Sequence, residues 1–192
     1  MTSIPNYKKI IIKLILLSVI CIVNLAHPLQ AKIASVIGDP ISKEIYFQVN
    51  QHTRNYPASL TKLMTLYIIF EEIKFNRLKL NEKLIFSNKA HSQQPSKLGI
   101  SKNETITIDE AIDALIIKSA NDVAVAVAEK ISGSEKKFIK KMNLYAKNFN
   151  LKDTYFANPH GLPNKSNLSS AYDMFLLSSK IIIDYPNYLD RF

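Results

Sequence analysis

Cysteine is almost absent from the sequence, since Cys21 is the only one in 192 residues. Cys21 lies within an apolar N-terminal stretch, and the residue before it, Ile20, is too large for a typical lipoprotein processing site. The remainder of the chain therefore has no thiol for a disulfide or a thiolate metal site. We predict a fold that is stabilised by burial alone and that uses no metal and no cofactor.

The sequence also lacks the aromatic platforms and recognisable modules of nucleic-acid-binding proteins, although its net charge is +9. The densest group of lysines, within Lys136–Lys141, alternates with apolar residues at helical spacing. This spacing indicates a solvated helix face opposite a core face. We therefore predict no nucleic-acid partner. The basic charge suits an anionic surface, such as a cell wall, or peripheral association with the cytoplasmic membrane.

Acidic residues are missing from residues 1–31, which have the pattern of a secretory signal peptide. Lysines precede the apolar run Leu14–Val23, and Ala31 supplies a small residue at a plausible cleavage point. The alternative is an uncleaved membrane anchor, but the run is shorter than a spanning helix requires. We predict cleavage near Ala31 and export to the periplasm or to the outer face of the cytoplasmic membrane.

Hydrophobic periodicity predicts a mixture of strands and helices in the rest of the chain. Two short strands are expected at Ile33–Ile37 and Glu44–Val49, and no other strand is expected. A helix over residues 58–73 is apolar nearly all round and should be buried at the centre of the fold. Start and stop signals predict four more helices, from Thr107 to about Lys118, over Asn121–Ile131, from Ser134 to Asn150, and from Ser170 to just before Pro186.

The stretch Ser59-Leu60-Thr61-Lys62 places a hydroxyl and an amine three residues apart at the start of the apolar helix. Side chains at this spacing are neighbours on a helix surface, so the amine can reach the hydroxyl. A lysine can then activate a serine as a nucleophile by taking its proton. The same four residues are also typical of an ordinary helix start with a solvated lysine.

A second stretch, Lys118-Ser119-Ala120-Asn121, falls at the junction of two predicted helices. A turn at this junction would expose the Ser119 hydroxyl and the Asn121 amide to a cleft. Serine and asparagine are also favoured helix caps, so Asn121 could instead cap the helix that follows.

Taken together, the two stretches resemble the motifs of the penicillin-recognising serine enzymes. The resemblance is most specific to the D-alanyl-D-alanine carboxypeptidases of peptidase family S11, the low-molecular-mass penicillin-binding proteins, and runs from about Ile33 to Tyr188. It is carried by Tyr56-Pro57-Ala58-Ser59-Leu60-Thr61-Lys62-Leu63-Met64-Thr65, Gln94-Pro95-Ser96-Lys97-Leu98-Gly99, Lys118-Ser119-Ala120-Asn121-Asp122-Val123-Ala124 and Asn158-Pro159-His160-Gly161-Leu162-Pro163.

The resemblance implies an α/β fold of the α+β type, the β-lactamase/transpeptidase-like fold, in which helices flank an antiparallel sheet beside a helical subdomain. Residues 32–192 would form a partial peptidase S11 domain with the N-terminal strands and the helical subdomain but without the C-terminal strands.

The resemblance also implies a role for each motif residue in trimming the terminal D-alanine from a peptidoglycan pentapeptide. Ser59 would be the nucleophile and would also bind β-lactams covalently. Lys62 would be the general base, which requires a lowered pKa. Ser119 would relay the proton to the leaving amine, and Asn121 would hold the substrate amide. His160 is expected to have a structural role in its turn and no catalytic one.

One family motif, Lys-Thr/Ser-Gly on a strand lining the cleft, is not found, because none of the four glycines is preceded by Lys-Thr or Lys-Ser. Without this strand, we expect the Leu63–Phe70 helix to be exposed. The alternative function is therefore a catalytically inactive truncated remnant, or one half of a split enzyme that needs a downstream complementing chain.

Two further alternatives fit less well. A class A β-lactamase would carry Asp in place of Ala120 and a deacylating glutamate after the second motif, but no glutamate follows Glu135. A helical, membrane-tethered interaction protein would need an uncleaved signal and would leave the order of the motifs unexplained.

Overall fold

The computed structural model describes residues 33–192, so the predicted signal peptide and Cys21 lie outside the described residues. None of the helices in this part of the chain is long and apolar enough to cross a membrane. Strands and helices follow one another along residues 33–192 as β1 (Ser35–Gly38), β2 (Ile45–Val49), α1 (Thr61–Lys74), β3 (Lys83–Ile85), α2 (Asn88–His91), β4 (Thr105–Thr107), α3 (Ile108–Ile116), α4 (Asn121–Ser132), α5 (Glu135–Asn148) and α6 (Ala171–Asp184). Two 3₁₀ helices, Ala58–Leu60 and Pro186–Arg191, precede α1 and follow α6.

The strands form two separate antiparallel pairs. β1 pairs with β2, with an irregularity between Ile37 and Gly38, and β3 pairs with β4. The prediction of only two strands was therefore wrong. β3 and β4 have three residues each, which is too short for an alternating pattern to be recognised in the sequence.

The helices begin at the caps that the sequence signals. Thr107 and Glu110 form a reciprocal capping box at α3, in which each side chain accepts a hydrogen bond from the other residue's backbone N–H. The hydroxyls of Ser134 and Ser170 accept backbone N–H bonds at the starts of α5 and α6. Gly133, at φ 72°, ends α4 in the left-handed conformation that glycine adopts without strain.

Helix α1 lies at the centre of the core, as its all-round apolar pattern predicts. Met64, Ile68 and Ile69 are fully buried, and α1 contacts each of the helices α3 to α6. The expected exposure of Leu63–Phe70 was wrong, because only Leu63 remains partly accessible.

The C-terminal 3₁₀ helix supplies part of the cover over α1. The ring of Tyr188 stacks on Phe70 with 4.1 Å between centroids. Arg191 fastens this segment to α3 by ion pairs to Asp109 and Asp113. The described residues therefore bury the helix that carries Lys62 of the first motif.

Candidate active site

The first motif lies at the junction of a 3₁₀ turn and α1. Ser59 is in the Ala58–Leu60 turn and is exposed, whereas Lys62 is in the first turn of α1 and only 3% exposed. Ser59, Lys62 and Ser119 line the same cleft, whose volume is about 420 Å³. The structure thus brings together three of the four residues that the sequence singles out.

The amine of Lys62 is buried without a carboxylate partner among residues 33–192. Its Nζ donates a hydrogen bond of 2.6 Å to the backbone carbonyl of His160. Burial lowers the pKa of Lys62 to about 8, because a desolvated ammonium with no counter-charge gives up its proton more readily. Lys62 thus has the lowered pKa that a general base requires, and its catalytic role stays a prediction.

The turn Asn158–Gly161 holds the Lys62 amine through the carbonyl of His160. Asn158 Oδ1 accepts the backbone N–H groups of His160 and Gly161 at 3.2 and 2.6 Å. The turn then offers two carbonyls to α1, that of Pro159 to the Thr65 hydroxyl at 2.7 Å and that of His160 to Lys62. Lys62 is therefore held by a turn that is itself closed by internal hydrogen bonds.

The side chain of His160 contributes to the same turn. Its Nδ1 accepts the backbone N–H of Leu162 at 3.0 Å. Burial, with a smaller effect of the neighbouring Lys62, lowers the pKa of His160 to about 4. The imidazole is therefore neutral near pH 7 and adds no second positive charge beside Lys62.

Gly161 brings the turn into contact with the backbone of Ala58 and Ser59. Its φ is 88°, and a Cβ at this position would lie 1.9 Å from the carbonyl oxygen of Ala58 and 3.1 Å from the nitrogen of Ser59. Only a residue without a Cβ permits this approach. Ala58 itself has a φ of 47°, so the backbone on both sides of the contact has an unusual conformation.

Ser119 lies in the turn between α3 and α4 with a φ of 56°. Its Oγ is buried and has no hydrogen-bond partner in the part of the chain that the structure describes. A buried hydroxyl without a partner is costly, so the position of Ser119 calls for an explanation.

Asn121 does not cap α4, and it does not line the cleft. It is the first residue of α4 and 5% exposed, and its Nδ2 donates to the carbonyl of Gln94 at 2.9 Å. The capping alternative for this residue was therefore wrong. Asn121 follows Ser119 by two residues and is bound to the loop that contains Gln94.

Sequence reasoning assigned no supporting role to Thr65, Asn158 and Gly161, although all three lie in the stretches that carry the family resemblance. Thr65 follows Lys62 by three residues on the same face of α1, which was a usable signal. The partners of Asn158 are local, the backbone groups of His160, Gly161 and Leu162. Gly161 approaches Ala58, about a hundred residues away in sequence, so no local pattern reveals that contact. Within residues 33–192, no three histidines, cysteines, aspartates or glutamates are placed to hold a metal ion.

Comparisons with known proteins agree on one family. The peptidase S11 family model, described as D-alanyl-D-alanine carboxypeptidase, matches residues 24–191. The D-alanyl-D-alanine carboxypeptidase DacF of Bacillus subtilis is 40% identical over 159 residues, which cover 83% of this chain and 40% of that protein. DacA of Haemophilus influenzae is 35% identical over 154 residues, or 79% of this chain and 39% of that protein. The chain therefore spans about two fifths of the length of these relatives.

Solved structures show the same fold. The D-alanyl-D-alanine carboxypeptidase DacD of Francisella tularensis superposes with a TM-score of 0.81 at 34% identity and covers 85% of this chain and 39% of its own. Penicillin-binding protein D2 of Listeria monocytogenes, solved in an ampicillin-bound form, gives 0.74 at 30% identity and covers 82% of this chain and 64% of its own. The predicted α+β, transpeptidase-like fold is confirmed.

Proposed function

The chain belongs to the peptidase S11 family of D-alanyl-D-alanine carboxypeptidases, and from this premise we propose that it acts as a serine-type carboxypeptidase on peptidoglycan stem peptides. The reaction would remove the terminal D-alanine through an acyl-enzyme on Ser59. One observation carries the proposal, namely that Ser59, Ser119 and the buried amine of Lys62 meet in one cleft.

In the first step, the neutral amine of Lys62 takes the proton of the Ser59 hydroxyl. The Ser59 oxygen attacks the carbonyl carbon of the penultimate D-alanine, and the backbone N–H of Ser59 stabilises the oxyanion. With a pKa of about 8, roughly a tenth of Lys62 is neutral at pH 7. A base whose pKa lies near the operating pH combines a useful neutral fraction with enough basicity to take the hydroxyl proton as the Ser59 oxygen attacks.

In the second step, the bond to the terminal D-alanine breaks, and its amine leaves with a proton that Ser119 passes on from Lys62. The unpartnered Ser119 hydroxyl supports this role, because it can accept one proton and donate another without losing an existing bond. Asn121 would hold the substrate amide at the same turn. Water then hydrolyses the ester on Ser59 and restores the free enzyme.

The second candidate function is an inactive remnant or one half of a split enzyme. It is favoured by the absence of Lys-Thr/Ser-Gly from the 192 residues. By the family's pattern that strand supplies the second oxyanion donor and binds the substrate carboxylate. Losing one oxyanion donor alone typically lowers turnover by about 10²–10³, so the test below compares the 192 residues alone with the same residues mixed with the part of a relative that they do not match.

The substrate also implies a location and a second class of ligand. We propose that the protein is exported by residues 1–31 and acts at the periplasmic side of the cytoplasmic membrane, where peptidoglycan is found. Ser59 would also be acylated by β-lactams. The ampicillin-bound form of the Listeria relative supports this second proposal.

Release of D-alanine from a synthetic pentapeptide ending in D-Ala-D-Ala tests the function. We would measure it for the 192-residue chain alone and for the chain mixed with the part of the Bacillus subtilis relative that this chain does not match. We expect release in the mixture, at least about 10² faster than for the chain alone, and none with the Ser59→Ala chain in the mixture.

Two other results would contradict parts of this account. Release by the mixture that survives in Ser59→Ala would exclude Ser59 as the nucleophile. No release under either condition would favour the inactive remnant.

A further inference from the structure

The loop Gln94–Gly99, called here the 94–99 loop, has no part in the proposed reaction but lies against both sides of Ser119. The carbonyl of Ser96 accepts the backbone N–H of Asn121 at 2.8 Å, and the Ser96 hydroxyl donates to the carbonyl of Lys118 at 2.7 Å. The carbonyl of Gln94 accepts the side-chain amide of Asn121. The turn that carries Ser119 and Asn121 is therefore bound to this loop before and after Ser119.

The other end of the loop is held by one buried carboxylate. Asp122 is fully buried, and its Oδ1 and Oδ2 accept the backbone N–H groups of Leu98 and Gly99 at 3.0 and 2.8 Å. Its Oδ1 also accepts the N–H of Val123 at 2.9 Å. No lysine, arginine or histidine among residues 33–192 forms an ion pair with it.

The three hydrogen bonds to the Asp122 carboxylate explain how it is accommodated in the interior. A buried carboxylate is tolerated where hydrogen bonds replace its hydration, and bonds to an ionised acceptor are stronger than neutral ones. The contacts of Asp122 are made to the loop and to the start of α4. Most of the compensation for its burial is thus available only while the loop is docked.

We propose that Asp122 is a positioning residue, which clamps the 94–99 loop onto the Lys118–Asn121 turn and so fixes Ser119 and Asn121 for the substrate. This inference rests on the proposed function for its consequence in the reaction, but not for the clamp itself. With the loop docked, Asn121 directs one side-chain N–H to Gln94 and its backbone N–H to Ser96. Ser119 keeps its left-handed backbone conformation, which a free turn would leave.

A simpler role has to be distinguished from this one. An aspartate in the first turn of a helix stabilises that helix through the dipole of its N-terminus. In that case, replacing Asp122 would lower the stability of α4 and leave the loop in place. If Asp122 is a clamp, its replacement should instead release the 94–99 loop and leave α4 largely intact.

Hydrogen exchange of individual backbone amides in the 192-residue chain separates the two roles. In Asp122→Asn we expect the amides of Leu98, Gly99 and Asn121 to exchange at least about tenfold faster, after correction for global stability, while Val127 within α4 changes less than about twofold. The matched control is Ser134→Ala, which removes the cap of α5 and does not touch the loop. In this control we expect the exchange rates of the loop amides to change only as much as the change in global stability requires.

A second variant keeps the test valid if Asp122→Asn does not fold. Ser96 is exposed, so Ser96→Ala should fold, and it removes the hydroxyl bond to Lys118 while leaving Asp122 intact. We expect the amide of Asn121 to exchange about threefold faster in this variant. Loop amides that respond no more to Asp122→Asn and Ser96→Ala than to Ser134→Ala would overturn the clamp.

The effect on the reaction is measured as acylation by a labelled penicillin. The measurement uses the complemented mixture, that is, the 192-residue chain mixed with the part of the Bacillus subtilis relative that it does not match. We expect Asp122→Asn to acylate at least about tenfold more slowly, since small displacements of aligned groups are costly, with the midpoint of the pH profile unchanged because Lys62 is untouched. A wild-type rate in this variant would overturn the positioning role. If the unmodified chain is never acylated, the proposed function fails, and the exchange data still decide whether Asp122 holds the loop.

Discussion

The Lys62→Met variant is expected to lose acylation of Ser59 by at least about 10³, since it removes the general base and leaves the hydroxyl unactivated. In the parent mixture, the acylation rate should rise about tenfold per pH unit up to a pH near 8 and then level off, because only the neutral amine accepts a proton. The rate of adduct formation with a labelled penicillin between pH 6 and pH 9 measures both effects. A pH profile that is flat across this range would contradict the role of Lys62.

The same variant has a distinct signature in stability. The pKa of Lys62 falls from 10.5 in the unfolded chain to about 8 in the fold, so between these pH values the unfolded chain binds more protons than the folded one. The burial penalty is complete below about pH 8 and disappears as the pH rises to about 10.5. Relative to Lys62→Met, the parent should therefore gain about 2–3 kcal/mol of unfolding free energy between pH 7 and pH 10.5.

Lys62→Arg is the matched control for this experiment. Arginine keeps the positive charge at every accessible pH and cannot serve as a base. We expect it to be as inactive as Lys62→Met but to show no gain in relative stability towards high pH. A Lys62→Arg chain that acylates at the parent rate would show that charge, and not proton transfer, is what the site requires.

Gly161→Ala is expected to destabilise the chain by about 2–4 kcal/mol and to lower its melting temperature by roughly 5–15 °C. The new Cβ would meet the carbonyl of Ala58 at 1.9 Å, a backbone atom that cannot rotate away, and an alanine at φ 88° is strained in addition. The Ala58–Ser59 backbone or the Asn158–Gly161 turn must therefore move. Thermal unfolding followed by circular dichroism measures the loss.

Gly133→Ala separates the steric clash from the strain of the left-handed backbone. Gly133 has a φ of 72°, but nothing lies within 4 Å of the position that a Cβ would occupy. We expect this variant to lose only about 1 kcal/mol. Equal losses in the two variants would mean that Gly161 is not in tight contact with the backbone of Ala58 and Ser59.

The parts of the fold that the sequence predicts are those in which one helix face or one cap decides the outcome. Helix α1 is apolar on nearly every side, so its burial could be predicted from its composition. The capping box of Thr107 and Glu110 spans only four residues and marks the start of α3. Strands β3 and β4 could not be recognised, because three residues give no alternation and their pairing depends on a partner about twenty residues away. The exposure expected for Leu63–Phe70 failed because Tyr188 and its neighbours cover part of the helix.

The site divides in the same way. Ser59, Lys62 and Ser119 could be predicted because the short stretches that contain them resemble family motifs, and the structure places them in one cleft. The contacts that hold these residues could not be predicted, since they join atoms that are distant in sequence. Asp122 binds the N–H groups of Leu98 and Gly99, and the carbonyl of His160 receives Lys62.

The mass of the protein after incubation with benzylpenicillin, followed by peptide mapping, tests the central claim most directly. For the complemented mixture, the account predicts one penicilloyl group on the 192-residue chain, located on Ser59, and none on the Ser59→Ala chain. An adduct on any other residue, or an adduct that persists in Ser59→Ala, would contradict the account.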